Sequence, residues 1–164
     1  MPHVIIRLAI PSDAAQLADL RWLSREPHAQ RAEPLAEFTP RFSAWLATAL
    51  DSGQWLAAVA PDSTQLVGCM FLQQVATVPV PGVLSRHWGY ITHSFVRETY
   101  RNQSLGTRML ELLIGQARQL QLHELHVWPS FAAVSLYTRA GFLSPEQLRA
   151  AEPPDESSYV LPLS

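Results

Sequence analysis

Val96 to Thr107, reading V-R-E-T-Y-R-N-Q-S-L-G-T, carries the spacing with the clearest chemical meaning in this chain. An apolar, period-two run from Tyr90 to Val96 enters the segment, and an amphipathic helical pattern leaves it. The turn between them is polar and holds Arg101 and Gly106. A strand that ends in such a turn and feeds a helix leaves several backbone N–H groups unpaired and aimed at one point. Those donors, with the positive end of the helix dipole, favour an anion and most often a phosphate. The segment is therefore expected to bind a phosphorylated ligand.

Two common phosphate sites fail on composition. A Walker loop requires Gly-Lys-Ser/Thr, and all 12 basic residues here are arginine. A dinucleotide fingerprint requires three glycines as G-x-G-x-x-G, and none of the 7 glycines are so spaced. What remains is R-x-x-G/S-x-G, formed by Arg101, Ser104 and Gly106. Further on, Pro129 to Phe142 joins Leu136-Tyr137 on a short helical pattern to a closing Gly141-Phe142. The opening stretch Ile6 to Ala14 reads as a strand, a Pro-Ser-Asp turn and a helix start.

These three segments, in this order, resemble the signatures of the GNAT acyltransferase superfamily: its first strand and helix, its pyrophosphate loop and its Leu-Tyr…Gly-Phe helix. The likeness extends over most of the 164 residues. It implies one α/β domain over residues 1–164, with a mixed, twisted sheet of six to seven strands, about four flanking helices and splayed central strands. It further implies an N-acetyltransferase that moves an acetyl group from acetyl-CoA, as co-substrate, directly to an amine. Backbone N–H groups of Arg101, Asn102, Gln103, Ser104, Leu105, Gly106 and Thr107 would hold the pyrophosphate, with the Ser104 and Thr107 hydroxyls as added donors. Ser104 departs from the usual glycine. Phe95 and Val96 would offer strand backbone to the pantetheine arm and to the thioester oxygen, stabilising the developing oxyanion. Tyr137 matches the tyrosine that protonates the departing thiolate, a role within reach of a phenol at neutral pH.

The general base is less legible. The positions that carry it in many relatives hold Tyr90 and Thr92 here, and neither is a good base. His93 is the best titratable candidate, but strand alternation sends it to the other face unless a bulge intervenes. An ordered water is the alternative. His123 and His126 point to opposite faces of a strand, and Cys69 has no partner cysteine, so no metal is expected.

The elements that must position these groups alternate along the chain. Strands are expected at 4–10, 55–60, 65–77, 89–96, 124–128 and 159–163. Helices are expected at 14–24, 42–50, 105–120 and 132–140, with 25–40 as a proline-bearing loop that has room for a helical turn. The five tryptophans read as core, with Trp22 and Trp88 as alternative walls of an acceptor pocket. A net charge of −2 supplies no basic field for nucleic acid. A single cysteine and the lack of a leader or long apolar run point to a cytoplasmic protein with no membrane partner. The acceptor, a small-molecule or peptide amine, carries no signature, and a homodimer is left open. A non-catalytic acyl-CoA-binding sensor or scaffold is the chief alternative.

Overall fold

The structure, a computed structural model, describes residues 4–83, 86–151 and 159–163. It is an α/β domain built on one mixed sheet of six strands. In chain order these are β1 (Arg7–Leu8), β2 (Trp55–Asp62), β3 (Gln65–Ala76), β4 (His87–Val96), β5 (Glu124–Val127) and β6 (Tyr159–Pro162). Their order in the sheet is the same. β1 with β2 and β5 with β6 are antiparallel, while β4 and β5 are parallel. The helices are α1 (Ala14–Leu23), α2 (Pro27–Ala32), α3 (Leu35–Asp51), α4 (Leu105–Gln119), α5 (Val134–Arg139) and α6 (Pro145–Ala151). Short α2 and α6 add to the four helices expected. Among the described residues no helix is long and apolar enough to cross a membrane.

Residues 25–40 are mostly helix rather than loop. Pro27 is the first residue of α2, where a missing N–H costs nothing, and Pro34 is the extended residue before α3. Proline thus starts both helices instead of breaking them. Phe42, Leu46 and Ala49 then bury the face of α3, which runs through the exposed Pro40. At the start of α1, Asp13 is 6% exposed and accepts both guanidinium nitrogens of Arg7, at 2.7 and 2.9 Å, and the Ile10 N–H at 2.8 Å. Burial alone would raise its carboxyl, but these donors outweigh it and hold the group below the ordinary range.

Contacts gather into two compact units, one comprising the chain to Phe71 with His93–Leu113, the other Leu72–Thr92 with the chain from Ile114. In the first, Leu17, Leu20, Leu46, Val59 and Cys69 are fully buried in one cluster, against which Phe95 packs. In the second, Gly89 lies so close to Leu125 and Leu72 that a Cβ would stand 2.4 and 2.7 Å from their methyl groups. Two tryptophans depart from the core assignment: Trp45 is 42% exposed and Trp128 53%. Leu120, expected as the last residue of this helix, is also exposed, because α4 stops before it. Gln121 is left-handed at φ 56°, and Leu122 N–H bonds back to Ala117 O at 3.0 Å.

Candidate functional site

β4 pairs with β5 only at Gly89, Tyr90 and Ile91, and then continues without a β5 partner to Val96. On its other edge, Arg97 N–H donates to Val67 O at 2.8 Å, and Thr77 N–H donates to Arg86 O at 3.2 Å. Between these two bonds β4 advances eleven residues (97 − 86) and β3 ten (77 − 67), so β4 holds one extra residue. His93 is left-handed, at φ 47°, and marks the bulge. Odd-numbered Gly89 packs with Leu72 and Leu125, whereas odd-numbered Phe95 packs with the cluster around Leu17 and Cys69. The bulge has flipped the alternation. Since neighbouring N–H groups of a strand point to opposite edges, the bond from Arg97 to β3 directs the Val96 N–H to the edge β5 does not pair.

The bulge puts His93 among unit-one groups that fix its tautomer. Arg21 Nη1 lies 3.0 Å from His93 Nδ1, and a guanidinium can only donate. The neutral ring therefore carries its proton on Nε2, 3.6 Å from Cys69 Sγ. Burial, with the charges of Arg21 and Arg25, pushes His93 down to about 3. Burial likewise pushes the Cys69 thiol up to about 12. Both groups are neutral at physiological pH, and the His93 lone pair is already occupied.

Beyond Val96 the chain makes a single 3-10 turn, Glu98–Tyr100, and then the loop. Arg97 is tied three times: its N–H to Val67, its Nε to Leu66 O at 3.1 Å and its Nη2 to Asp19 at 2.5 Å. The Tyr100 hydroxyl donates to Asp62 at 2.5 Å, which raises the phenol's pKa. Arg101 is exposed and its Nε donates back to Val96 O at 3.2 Å. Asn102 and Ser104 are both left-handed, at φ 61° and 58°. That conformation costs a residue other than glycine roughly 1–2 kcal/mol, with asparagine among the more tolerant. Ser104, where the superfamily pattern has glycine, thus stands where glycine is conformationally favoured.

Ser104 O accepts the first helical bond of α4, from Arg108 N–H at 3.0 Å. The N–H groups of Leu105, Gly106 and Thr107 precede that bond and have no partner within the helix. A left-handed residue beside them curls the backbone into a concave set of donors, the arrangement that holds phosphate elsewhere. The sequence-expected residues Phe95, Val96 and Arg101 to Thr107 are therefore consecutive parts of one strand–loop–helix, all in the first unit.

Tyr137 belongs to the second unit and is 2% exposed. The Leu-Tyr…Gly-Phe signature has a local cause. Gly141 is left-handed at φ 94°, Gly141 N–H bonds to Thr138 O at 3.1 Å, and Phe142 N–H bonds to Tyr137 O at 3.0 Å. This is the Schellman stop of α5, completed by the edge-on contact of the Tyr137 and Phe142 rings, 5.4 Å apart. The Gly-Phe pair thus fixes the backbone that carries the tyrosine.

Among the other candidates, Trp22 Nε1 donates to Glu33 O at 2.9 Å, and Gln30 bonds the Trp22 and Arg25 carbonyls, so the α1–α2 connection is pinned. Trp88 packs at a tilt on His126, with ring centres 4.5 Å apart, and His126 pairs with Glu124 at 2.9 Å. Among the described residues no three His, Cys, Asp or Glu side chains gather as a metal site. Sequence reading missed Asp19, Asp62, Arg97 and Tyr100, because their partners lie 31 to 78 positions away. It also missed Arg21, whose period on α1 carried no sign of a strand partner.

The sequence matches the model of the acetyltransferase (GNAT) family over residues 15–142, and the chain belongs to that family. It is an acyltransferase by this membership. No curated protein matches the sequence. Its fold is that of a predicted acetyltransferase from Clostridium acetobutylicum determined with acetyl-CoA, at 20% identity and a TM-score of 0.70, over 87% of this chain and 91% of that one. A GNAT family N-acetyltransferase from Escherichia coli in complex with CoA superposes at 22% identity and 0.67, over 100% and 84%. Glucosamine-6-phosphate N-acetyltransferase from Arabidopsis thaliana does so at 16% identity and 0.68, over 94% and 97%.

Proposed function

We propose that this protein transfers an acetyl group from acetyl-CoA directly to an amine. The observation that carries the reading is the loop from Arg101 to Thr107. Two left-handed residues and three leading N–H groups of α4 form a donor set there, at the end of a strand that outruns its neighbour. The pyrophosphate would lie on those donors; that the similarly folded Clostridium protein holds acetyl-CoA and the Escherichia protein CoA supports a ligand of this class. The Val96 N–H, directed to the unpaired edge of β4, suits the thioester oxygen, where negative charge grows in the transition state.

In the step proposed, the amine nitrogen bonds to the thioester carbonyl carbon, the carbon–sulfur bond breaks, and the thiolate leaves with a proton. Tyr137, by its match to the family pattern, is the donor of that proton. The amine's own proton goes to an ordered water. His93 is better suited to holding the strand than to removing a proton, since Arg21 occupies its lone pair and its pKa is pushed down to about 3. The acceptor is a small-molecule or peptide amine. A cytoplasmic location accords with the single, buried, free cysteine.

Release of free thiol from acetyl-CoA, measured across a panel of amines, amino acids and N-terminal peptides, tests the proposal. Turnover with at least one amine is expected, and Tyr137→Phe should lower kcat about 10-fold or more while CoA affinity stays within twofold. CoA binding without turnover on any amine would make the protein a binding module instead. Unchanged turnover in Tyr137→Phe would remove that residue from the mechanism.

A further inference from the structure

The loop that holds the donors is conformationally costly, and two side chains brace it from either end of the turn that precedes it. Arg97, the first residue after β4, is fastened to β3 through Val67 O and Leu66 O and to α1 through Asp19. Tyr100, the last residue before the loop, is fastened by its hydroxyl to Asp62, the last residue of β2. Between Tyr100 and α4 stand Asn102 and Ser104, both left-handed and neither a glycine. Gly106, the remaining glycine of the pattern, lies inside the helix and relieves neither.

We propose that Arg97 and Tyr100 are positioning residues which hold the Arg101–Ser104 loop in its anion-binding shape, taking over the conformational role that glycine would fill at position 104. This rests on the reading that the loop binds the pyrophosphate of CoA. Neither side chain needs to touch the ligand. Tyr100 is the sharper case. Its hydroxyl bond to a carboxylate is charge-assisted, and its loss frees the residue directly preceding Arg101. If the loop then samples other shapes, the binding-competent fraction falls and the apparent affinity falls with it.

The test uses Tyr100→Phe and Asp62→Ala, each alone, together, and in a Ser104→Gly background. Three readouts apply: calorimetric Kd for CoA, the separate kcat and KM for acetyl-CoA, and amide hydrogen exchange of residues 101–108 in the unliganded protein. Each single variant should raise Kd and KM about 10-fold with kcat within twofold, the scale of one charge-assisted hydrogen bond. The double variant should be no worse than either single one, since both break the same bond. Ser104→Gly should shrink the Tyr100→Phe penalty to about threefold or less, because glycine no longer resists the required φ. Loop amides should exchange faster in Tyr100→Phe and slow again on adding Ser104→Gly. Wild-type affinity in Tyr100→Phe, an undiminished penalty in the Ser104→Gly background, or a fall in kcat with KM unmoved would each overturn the proposal. If wild-type protein binds no CoA, the pyrophosphate reading fails, while the exchange data still decide whether Tyr100 holds the loop: unchanged exchange refutes it. Should Tyr100→Phe fail to fold, Asp62→Ala removes the acceptor of the same bond and carries the test.

Discussion

Protonating His93 should cost this protein much of its stability, and the size of that cost follows from the ring's surroundings. The imidazole is partly buried beside Arg21 and in the field of Arg25, and its pKa falls from 6.5 to about 3. In the unfolded chain the ring keeps its ordinary value of about 6.5. Below that value the unfolded state takes up a proton that the folded state refuses. The folded pKa is the depressed one, so the contribution is fully present above pH ~6.5 and is lost as pH falls toward ~3. Each pH unit in that window removes about 1.4 kcal/mol, for a ceiling of about 5 kcal/mol. Residual water around the ring reduces this, and about 1 kcal/mol between pH 6.5 and 5 is the expectation.

Urea unfolding at pH 7.5, 6.5, 5.5 and 5, for wild type and His93→Gln, isolates the effect. Glutamine keeps an acceptor for Arg21 but does not titrate, so its stability should fall less steeply with acid. The difference between the two curves is the His93 contribution, free of the other histidines. Parallel curves over this range would show that His93 titrates normally. The assignment of Nδ1 as a locked acceptor would then be wrong, and the case for His93 as the general base would return.

Two further predictions concern backbone shape. Ser104→Gly should raise stability by about 1 kcal/mol, read as a higher urea midpoint at unchanged slope, because Ser104 sits at φ 58°. A lower midpoint would mean the serine hydroxyl makes a bond worth more than the strain. Gly141→Ala should lower stability by about 1–2 kcal/mol, since φ 94° opposes any side chain and the new Cβ stands 3.4 Å from Leu161. The Schellman stop would loosen with it, so near-ultraviolet circular dichroism from the Tyr137 environment should weaken; an unaltered melt would show the turn accepts a side chain.

The parts of the fold that sequence revealed are those with local causes. α4 is written in its apolar stripe, and the Leu-Tyr…Gly-Phe signature in a Schellman stop that only a glycine at φ 94° allows easily. The anion loop was legible because strand, turn and helix are contiguous. The α2–α3 segment is not legible in the same way, since Pro27 and Pro34 look like breakers in sequence and act as helix starts in space. The His93 bulge was anticipated only as a condition. Its cause is an extra residue relative to β3, and no strand announces its partner's register by itself. The same holds for Asp19–Arg97 and Asp62–Tyr100, which join residues 78 and 38 positions apart.

Calorimetric titration of the purified protein with CoA and acetyl-CoA, against ATP and NAD as phosphate-bearing controls, tests the central claim most directly. Saturable one-to-one binding of both CoA species is predicted. At about 100 times the dissociation constant, either should stabilise the fold by roughly 2.7 kcal/mol, with ATP and NAD adding little. Absence of binding by both CoA species at millimolar concentration would contradict the account and leave a GNAT fold whose loop does not hold the ligand its backbone is shaped for.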